Sequence, residues 1–481
     1  MTAPAIPTAL VQEPRPQLHR AMGFRDLLLF YLVTGFTVRW IGSAASAGPS
    51  AVVIWLGACL LFYAPLMLTV LELSSRYPNE GGCYVWSKRA FGDFAGFMTG
   101  WNYWVCNLPY FPGLFYFTAA SALFIGGAAW QGLTDSRAYY VTFSLIALAL
   151  AVTLNVRGLG VGKWLHNIGA VGLWVPALLL MALAVVSYAR FGSATPFTAE
   201  SMLPSTRLKD IIFWSTIAFS LSGLESASMM GDEIRDPRRN IPKALMIGGV
   251  LITLIYTLST VAMLVALPRA QILSLQGFML SIQQASDRVG IAGLTGIAAL
   301  LITLGGLGQA GAWFAAGGRL PFVAGIDRFL PASFGRVHPK YGSPHVSLLV
   351  QAAVAAVFIF LGQAGTTVKG AYDVLVSMSI IGYFIPYLFM FASMIKLQSE
   401  PAGPEVMRVP GGRPVATLVG GVGFCVTAAA ICLALIPAED EPNKALAVTK
   451  VAGLTGLLLL GGAAVYFTGR RRRVWASDPR I

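Results

Sequence analysis

The chain contains two stretches, Val38-Arg39-Trp40-Ile41-Gly42-Ser43-Ala44-Ala45-Ser46-Ala47-Gly48-Pro49 and Phe219-Ser220-Leu221-Ser222-Gly223-Leu224-Glu225-Ser226, that place small, polar and charged residues at the centre of long apolar segments. In lipid every backbone N–H and C=O must be satisfied internally, so a helix breaks at membrane depth only where the freed groups have another partner. A bound ligand is the natural partner. Paired broken helices of this kind indicate the substrate site of a secondary transporter.

Composition places the chain among integral membrane proteins. Of its 481 residues 56% are hydrophobic and 11% are charged, the mean hydropathy is +0.69, and soluble domains carry about 25% charged residues. Because a bilayer core needs about 20 apolar residues per helix, the sequence predicts twelve spans. They begin near Leu27, Ser50, Phe94, Ala138, Trp164, Ile211, Lys243, Ala292, His345, Tyr372, Ala416 and Ala447.

The distribution of basic residues predicts the orientation. With twelve spans both termini lie on one side, and 24 of the 34 Lys and Arg residues fall in the segments on that side, nine on the other, and Arg39 inside the first span. By the positive-inside rule both termini are cytoplasmic, in the inner membrane of a bacterium-like cell. The net charge of +13 therefore indicates an anionic lipid surface as partner, and we expect no nucleic acid.

Motifs of catalysis and metal binding are missing from the sequence. The five cysteines and four histidines have no metal-ligand spacing, and neither a nucleophile elbow nor a phosphate-binding loop occurs. We therefore expect neither an enzyme nor a cofactor or metal site. The expected partners are a small-molecule substrate, a coupling proton or counter-substrate, and the bilayer.

The positions of the two interrupted spans predict an internal repeat. They are the first and the sixth, and five spans per repeat is an odd number, so the second repeat must cross in the opposite sense. The predicted fold is all-α, with a 5+5 inverted repeat and two further C-terminal helices. The predicted segments are a cytoplasmic tail at 1–22, repeats at 23–190 and 191–395, spans eleven and twelve at 396–469, and a second cytoplasmic tail at 470–481.

Four motifs, in order along the chain, resemble those of the amino acid–polyamine–organocation (APC) transporters. Gly42-Ser43-Ala44 is similar to that family's Gly-Ser-Gly bend, and the second interrupted span is the most specific match. That second match continues through Glu233 and Asp236-Pro237-Arg238-Arg239-Asn240-Ile241-Pro242. The other two motifs are Tyr77-Pro78-Asn79-Glu80-Gly81-Gly82-Cys83-Tyr84 through Phe91-Gly92, and Asp327-Arg328-Phe329-Leu330-Pro331 with Gly342-Ser343-Pro344. The resemblance implies a LeuT-like permease that works by alternating access.

The same resemblance implies a set of substrate-binding residues. Backbone around Ile41, Gly42, Ser43 and Ala44 would hold a substrate carboxylate, with Gly42 leaving the amides accessible. Carbonyls near Phe219, Ser220, Ser222 and Gly223 would hold the amine. The remaining implied contacts are Phe219 as an aromatic lid and, for the side chain of the substrate, Asn107, Trp313, and Ser377 or Ser379.

Two charges inside the predicted spans, Arg39 and Glu225, are costly in lipid and are rarely without a role. Glu225 matches a glutamate of the family and could carry a proton or brace the unwound segment. Arg39 departs from the family pattern, since that position is mostly small, apolar or amidic. It could pair with Glu225 or contact the substrate, but a guanidinium stays protonated and cannot itself carry the coupling proton.

The sequence as a whole predicts a transporter of an amino acid, neutral or acidic. One alternative is a polyamine or other amine transporter or exchanger of the same fold, because Gly100-Trp101, Trp104 and Leu108-Pro109-Tyr110 loosely resemble the polyamine branch. The other is a substrate sensor that does not transport. A sensor would be expected to carry a large soluble regulatory domain, and none is apparent in these residues.

Overall fold

The computed structural model describes residues 22–78, 81–205, 208–272, 276–291, 293–326, 329–362, 368–437, 441 and 443–476. Of the predicted tails, residues 1–21 and 477–481 lie outside these ranges. Two parts of the family-like motifs, Asn79-Glu80 and Asp327-Arg328, also lie outside them.

The described residues form helices and no strand. The first half of the chain contains α1 (Phe24–Thr34), α2 (Val38–Ala45), α3 (Ala51–Ala58), α4 (Ala64–Arg76), α5 (Cys83–Phe91), α6 (Asp93–Val105), α7 (Asn107–Ala122), α8 (Arg137–Val156), α9 (Leu159–Phe191), α10 (Ala199–Met202) and α11 (Leu208–Ser220). A π-helical turn, Cys59–Tyr63, joins α3 to α4.

The second half begins with a 3-10 helix, Ser226–Glu233. It continues with α12 (Pro237–Ala266), α13 (Arg269–Ile272), α14 (Gly277–Val289), α15 (Leu294–Ile326), α16 (His345–Gly362), α17 (Val368–Leu397), α18 (Gly412–Ala434) and α19 (Lys444–Ala476).

Within the described residues, ten helical segments are long and apolar enough to cross a membrane. Helices stand at all twelve predicted positions, but α11 at the sixth and α16 at the ninth are shorter. The all-helical membrane architecture is thus confirmed. Twelve crossings and the 5+5 inverted repeat stay predictions.

The core is organised around α7, every residue of which is buried. The most extensive contact between two described helices is that of α9 with α15, and it depends on glycine. A Cβ at Gly308 would lie 2.3 Å from the Gly169 Cα, and one at Gly172 would lie 2.4 Å from the Leu301 carbonyl oxygen. Small residues let two helix backbones approach in this way. In contrast, α18 and α19 leave most of their residues at the outer surface, where lipid would contact them.

The start of α1 is attached to the segment that follows α11. Met22 N–H donates to the Glu233 carbonyl at 3.1 Å, and Arg235 N–H donates to the Met22 carbonyl at 3.0 Å. The Arg319 guanidinium, from α15, forms a two-pronged ion pair with the buried Glu233 carboxylate at 2.7 and 3.0 Å. Three separate parts of the chain therefore meet at this end of the bundle.

Candidate substrate site

The sequence predicted a break of the first span at Gly42. The structure instead breaks this span at Gly35–Thr37. α1 ends at Thr34, Thr37 has an extended backbone, and α2 runs without interruption through Gly42-Ser43-Ala44. The Gly42 carbonyl accepts hydrogen bonds from both the N–H and the hydroxyl of Ser46, at 3.1 and 3.0 Å. The physical reason is that a run of small residues is compatible with a helix, and alanine favours one.

Neutral side chains from other helices satisfy the backbone of the first break. The Gln309 amide of α15 donates to the carbonyls of Val33 and Phe36, both at 2.9 Å. Thr37 N–H donates to the Tyr256 hydroxyl at 3.0 Å. Because these groups are buried, leaving them unpaired would be expensive, and the two side chains make the break stable in the absence of ligand.

The second break, between Ser220 and Ser226, is held by a carboxylate. Glu225 is completely buried and accepts hydrogen bonds from the hydroxyls of Tyr103 and Tyr383 on one oxygen. Its other oxygen accepts from the Tyr387 hydroxyl and from Gly223 N–H. Gly223 has φ +101°, a conformation that favours glycine. Glu225 thus braces the unwound backbone, which is one of its two predicted roles.

Three consecutive carbonyls at the end of α11 have no donor in the described part of the chain. They belong to Ser220, Leu221 and Ser222, whereas the preceding carbonyls of Ala218 and Phe219 accept from Leu221 and Ser222. The C-terminal end of a helix also carries partial negative charge. This end of the break is therefore suited to a cation or a hydrogen-bond donor.

The two breaks lie against each other. A Cβ added to Gly223 would lie 3.2 Å from the Thr34 carbonyl oxygen, and one added to Gly35 would lie 3.3 Å from Leu224 Cδ2. The sequence predicted adjacent breaks, but with Gly42 as the residue opposite Gly223. The neighbour of Gly223 is instead the end of α1.

Beside the two breaks is a cavity whose lining residues are all buried. Its wall combines aromatic rings with hydroxyl and amide groups. The lining residues are Thr34, Gly35, Trp40, Cys106, Asn107, Tyr110, Phe219, Ser220, Ser222, Tyr256, Trp313, Ser379 and Tyr383.

Five of the aromatic rings form a nearly closed belt around this cavity. Ring centroids are 5.4 Å apart for Trp40 and Phe219, 5.7 Å for Phe219 and Tyr383, 5.6 Å for Tyr383 and Trp313, and 5.6 Å for Trp313 and Tyr110. We call these five residues the aromatic belt. The gap between its two ends, Tyr110 and Trp40, is filled by a guanidinium group.

That guanidinium belongs to Arg39, which is only 4% exposed. Its Cζ lies 4.1 Å from the centre of the Trp40 ring and 4.6 Å from that of Tyr110. Both distances are typical of cation–π contacts. Neither a hydrogen bond nor an ion pair links Arg39 to Glu225 in the described structure, so of the two alternatives that the sequence left open for Arg39, the pairing with Glu225 is not observed.

Half of the predicted substrate-binding residues line the cavity. Asn107, Phe219, Ser220, Ser222, Trp313 and Ser379 line it. Gly223 lies directly behind Trp313. Ser377 instead faces a different cavity, between α17 and the α18–α19 pair, while Ile41, Gly42, Ser43 and Ala44 lie along α2 and do not line the site. Binding by any of these residues stays a prediction.

Sequence reasoning missed seven lining residues, namely Thr34, Gly35, Trp40, Cys106, Tyr110, Tyr256 and Tyr383. A signal existed for two of them. Gly35 is followed by Thr37 and Val38, two β-branched residues that favour extended backbone, so Thr34-Gly35 could have been recognised as a helix end. Nothing local distinguishes Tyr256 or Tyr383 from other tyrosines within spans.

Comparison with known proteins identifies the family. Residues 23–457 match the family model described as amino acid permease. The chain is 30% identical over 441 residues to an uncharacterized transporter of Legionella pneumophila, covering 90% of this chain and 93% of that protein. It is 24% identical over 457 residues to a probable agmatine/putrescine antiporter of Lactococcus lactis, covering 94% and 95%.

A further relative is an uncharacterized transporter of Mycobacterium tuberculosis, 25% identical over 431 residues and 88% of each chain. The family model spans most of the sequence. The chain therefore belongs to the amino acid permease family of the APC superfamily, and it is a multi-pass membrane protein of a transporter family.

Proposed function

We propose that this protein is a secondary transporter of an α-amino acid, neutral or acidic, which binds in the cavity at the two breaks and crosses by alternating access. The observation that carries this proposal is the set of three unpaired carbonyls at the end of α11, two of which belong to the lining residues Ser220 and Ser222. An ammonium group has three N–H donors and no acceptor, so it complements such a set.

The hydroxyl groups of the cavity support an amine at the same place. Thr34, Ser220, Ser222 and Ser379 each donate their proton to a carbonyl three or four residues earlier in the chain. Each hydroxyl therefore offers lone pairs, and no further proton, to a ligand. The described lining contains no carboxylate, so backbone and hydroxyl oxygens are the available acceptors.

The first break supplies the complementary end. Gly35 lines the cavity, and the N–H of the next residue, Phe36, has no acceptor among the described residues. The N-terminus of α2 begins two residues later, and a helix N-terminus favours an anion. We propose that the substrate carboxylate binds here, one to two helical turns before the Gly42 site inferred from sequence.

For the whole molecule we propose twelve spans, a 5+5 inverted repeat in residues 23–190 and 191–395, and both termini in the cytoplasm of a cell with this protein in its inner membrane. Helices at all twelve predicted positions and two adjacent breaks support this arrangement. A proton or a counter-substrate would supply the driving force.

A second candidate is an amine exchanger. One observation favours it, the aromatic belt, because aromatic faces attract organic cations, and one relative is a probable agmatine/putrescine antiporter. The described cavity wall has no acidic residue to neutralise a second ammonium group, so we favour the amino acid.

Counterflow in liposomes with labelled amino acids and amines tests the proposal. We expect an amino acid to exchange, and we expect Ser379→Ala to raise its KM several-fold because Ser379 lines the cavity. Ser377→Ala, two residues away but in another cavity, is the matched control and should leave KM unchanged. Counterflow of amines alone would replace the proposal by the second candidate, and no counterflow of any compound would refute transport.

A further inference from the structure

The charge of Arg39 is unusual because two of its three guanidinium nitrogens are buried without an acceptor among the described residues. Its Nε and Nη1 atoms are inaccessible and have no acceptor among the described residues. An unsatisfied buried donor is costly, and a charged one more so. The faces of Trp40 and Tyr110 offset part of this cost, but a ring face does not accept the in-plane N–H groups of a guanidinium.

Glu225, the other buried charge near the cavity, is in the opposite situation. Both of its oxygens already accept hydrogen bonds, from three tyrosine hydroxyls and one backbone N–H. It has little capacity left for a ligand. Of these two charges, Arg39 is therefore the one with hydrogen-bonding groups left unsatisfied by the described residues.

Arg39 and Glu225 also act on opposite parts of the aromatic belt. Arg39 joins Trp40 to Tyr110, whereas the Tyr103–Tyr383–Tyr387 hydroxyls that hold Glu225 reach the belt at Tyr383. In the order of ring contacts, Tyr383 is three steps from Arg39 in either direction. The cavity thus lies between a positive and a negative buried group.

We infer that Arg39 is the specificity-determining residue of this cavity, and that it favours amino acids, which carry a carboxylate, over the corresponding amines that lack one. The inference rests on the proposed function, since it concerns the same site. The guanidinium lies against the rings of Trp40 and Tyr110, which line the buried cavity, so its charge attracts an anion and repels a cation there with less screening than in water.

Arg39 has a second effect through its contacts. It fills the gap between Trp40 on α2 and Tyr110 on α7, so a carboxylate that draws the guanidinium toward it also draws the two ends of the belt together. A diamine cannot do this. Charge selection and closure of the cavity are then two results of one contact.

Pairs of ligands that differ only by one carboxylate give the sharpest test. We would measure the affinities of leucine and 3-methylbutylamine, and of ornithine and putrescine, for the purified full-length protein by competition binding. For the wild type we expect each amino acid to bind at least tenfold more tightly than its decarboxylated amine. Arg39→Gln should reduce this ratio to near one, mainly by weakening the amino acid.

Two further variants separate charge from folding. Arg39→Lys keeps the positive charge and should retain most of the ratio, so it remains informative if Arg39→Gln does not fold. Arg288→Gln removes an exposed arginine of α14 and should leave the ratio at its wild-type value. Loss of the ratio in Arg39→Gln but not in Arg288→Gln supports the inference.

Three results would overturn it: equal binding of amine and amino acid by the wild type, an unchanged ratio in Arg39→Gln, or a loss in Arg39→Lys as complete as in Arg39→Gln. The proposed function fails differently, by the absence of amino acid counterflow in the wild type. If amino acids exchange but the affinity ratio of amino acid to amine does not depend on Arg39, the proposed function is supported and the role of Arg39 is refuted.

Discussion

The two helix breaks solve the same problem with different chemistry. At Gly35–Thr37 the freed backbone groups are paired with neutral side chains, Gln309 and Tyr256. Beyond Ser220 the backbone is held by an ionisable carboxylate, Glu225, and three carbonyls have no donor among the residues that the structure describes. The first break is nearly complete in itself, whereas the second is rigid at Glu225 and open at the end of α11.

This difference indicates how a site can be both stable and receptive. A buried polar group without a hydrogen bond lowers the stability of the fold. Such groups therefore persist only where other contacts hold the backbone in place. The tyrosine cage around Glu225 supplies that rigidity. The carbonyls of Ser220 and Ser222 can then remain available to a ligand.

The largest expected effect comes from removing the charge at the second break. In Glu225→Gln one oxygen becomes an NH₂ group, so at least one pair of the present donors loses its acceptor. We expect the free energy of unfolding to fall by about 3 kcal/mol and counterflow to be lost, measured by thermal unfolding in detergent and in liposomes.

Gln309→Ala is the matched change at the first break. It leaves two neutral carbonyls unpaired, and we expect it to cost about 1.5 kcal/mol with partial loss of transport. Should Gln309→Ala prove as damaging as Glu225→Gln, the contrast between a neutral and a charged break would be wrong.

A smaller effect distinguishes the observed position of the first break from the one inferred from sequence. A Cβ at Gly35 would lie 2.7 Å from Ile252 Cδ1 and 3.0 Å from the Tyr31 carbonyl oxygen, whereas one at Gly42 would meet Met263 at an ordinary 3.8 Å. Gly35→Ala should therefore destabilise by about 1 to 3 kcal/mol. Gly42→Ala should be neutral or stabilising by about 0.5 kcal/mol, because alanine favours a helix.

Unfolding midpoints and transport rates of the two glycine variants decide between the positions. If Gly42→Ala were the more harmful of the two, the result would show that the helix breaks at Gly42-Ser43-Ala44 and not at Gly35. Equal effects would show that neither glycine marks a break.

The smallest effect concerns access to the second break. In a background without Cys59, Cys83, Cys106, Cys425 and Cys432, we expect substrate at ten times its Kd to slow thiol labelling of Ser222→Cys about tenfold. Ser43→Cys, on α2 and away from the cavity, should label at the same rate with and without substrate. Protection of Ser43→Cys alone would place the ligand against α2 instead.

The architecture was predictable because it depends on averages over many residues. Twenty-residue apolar segments and four ordered motifs were sufficient to identify a helical membrane protein of the APC superfamily, and the family match confirms it. The second break was also located correctly. Its Ser-Leu-Ser-Gly-Leu-Glu sequence combines a glycine that adopts positive φ with a charge that lipid does not tolerate.

The position of the first break is marked in the sequence only by the weak signal of Thr34-Gly35 before the β-branched Thr37 and Val38. Gly42-Ser43-Ala44 attracts attention because it is small and polar, yet those residues remain helical, while Gly35 lies in an otherwise apolar stretch. A tertiary contact stabilises the end of α1. The Gln309 amide, which is 276 positions from Val33 and 273 from Phe36, donates hydrogen bonds to the carbonyls of these two residues. A single sequence does not show which distant residue will arrive there.

The attachment of Met22 to Glu233 and Arg235 has a mechanical consequence for the proposed transport cycle. With two main-chain hydrogen bonds and the Arg319 fork joining these parts, α1 cannot swing away while the 3-10 segment and α15 stay still. Either these three parts move together as one rigid body, or the hydrogen bonds and the ion pair that join them break at the same time. Such concerted rearrangements belong to the microsecond-to-millisecond range and not to the nanosecond range of side-chain motion. In the proposed transport cycle, we therefore expect these contacts to set the slower timescale of substrate release at that end of the bundle.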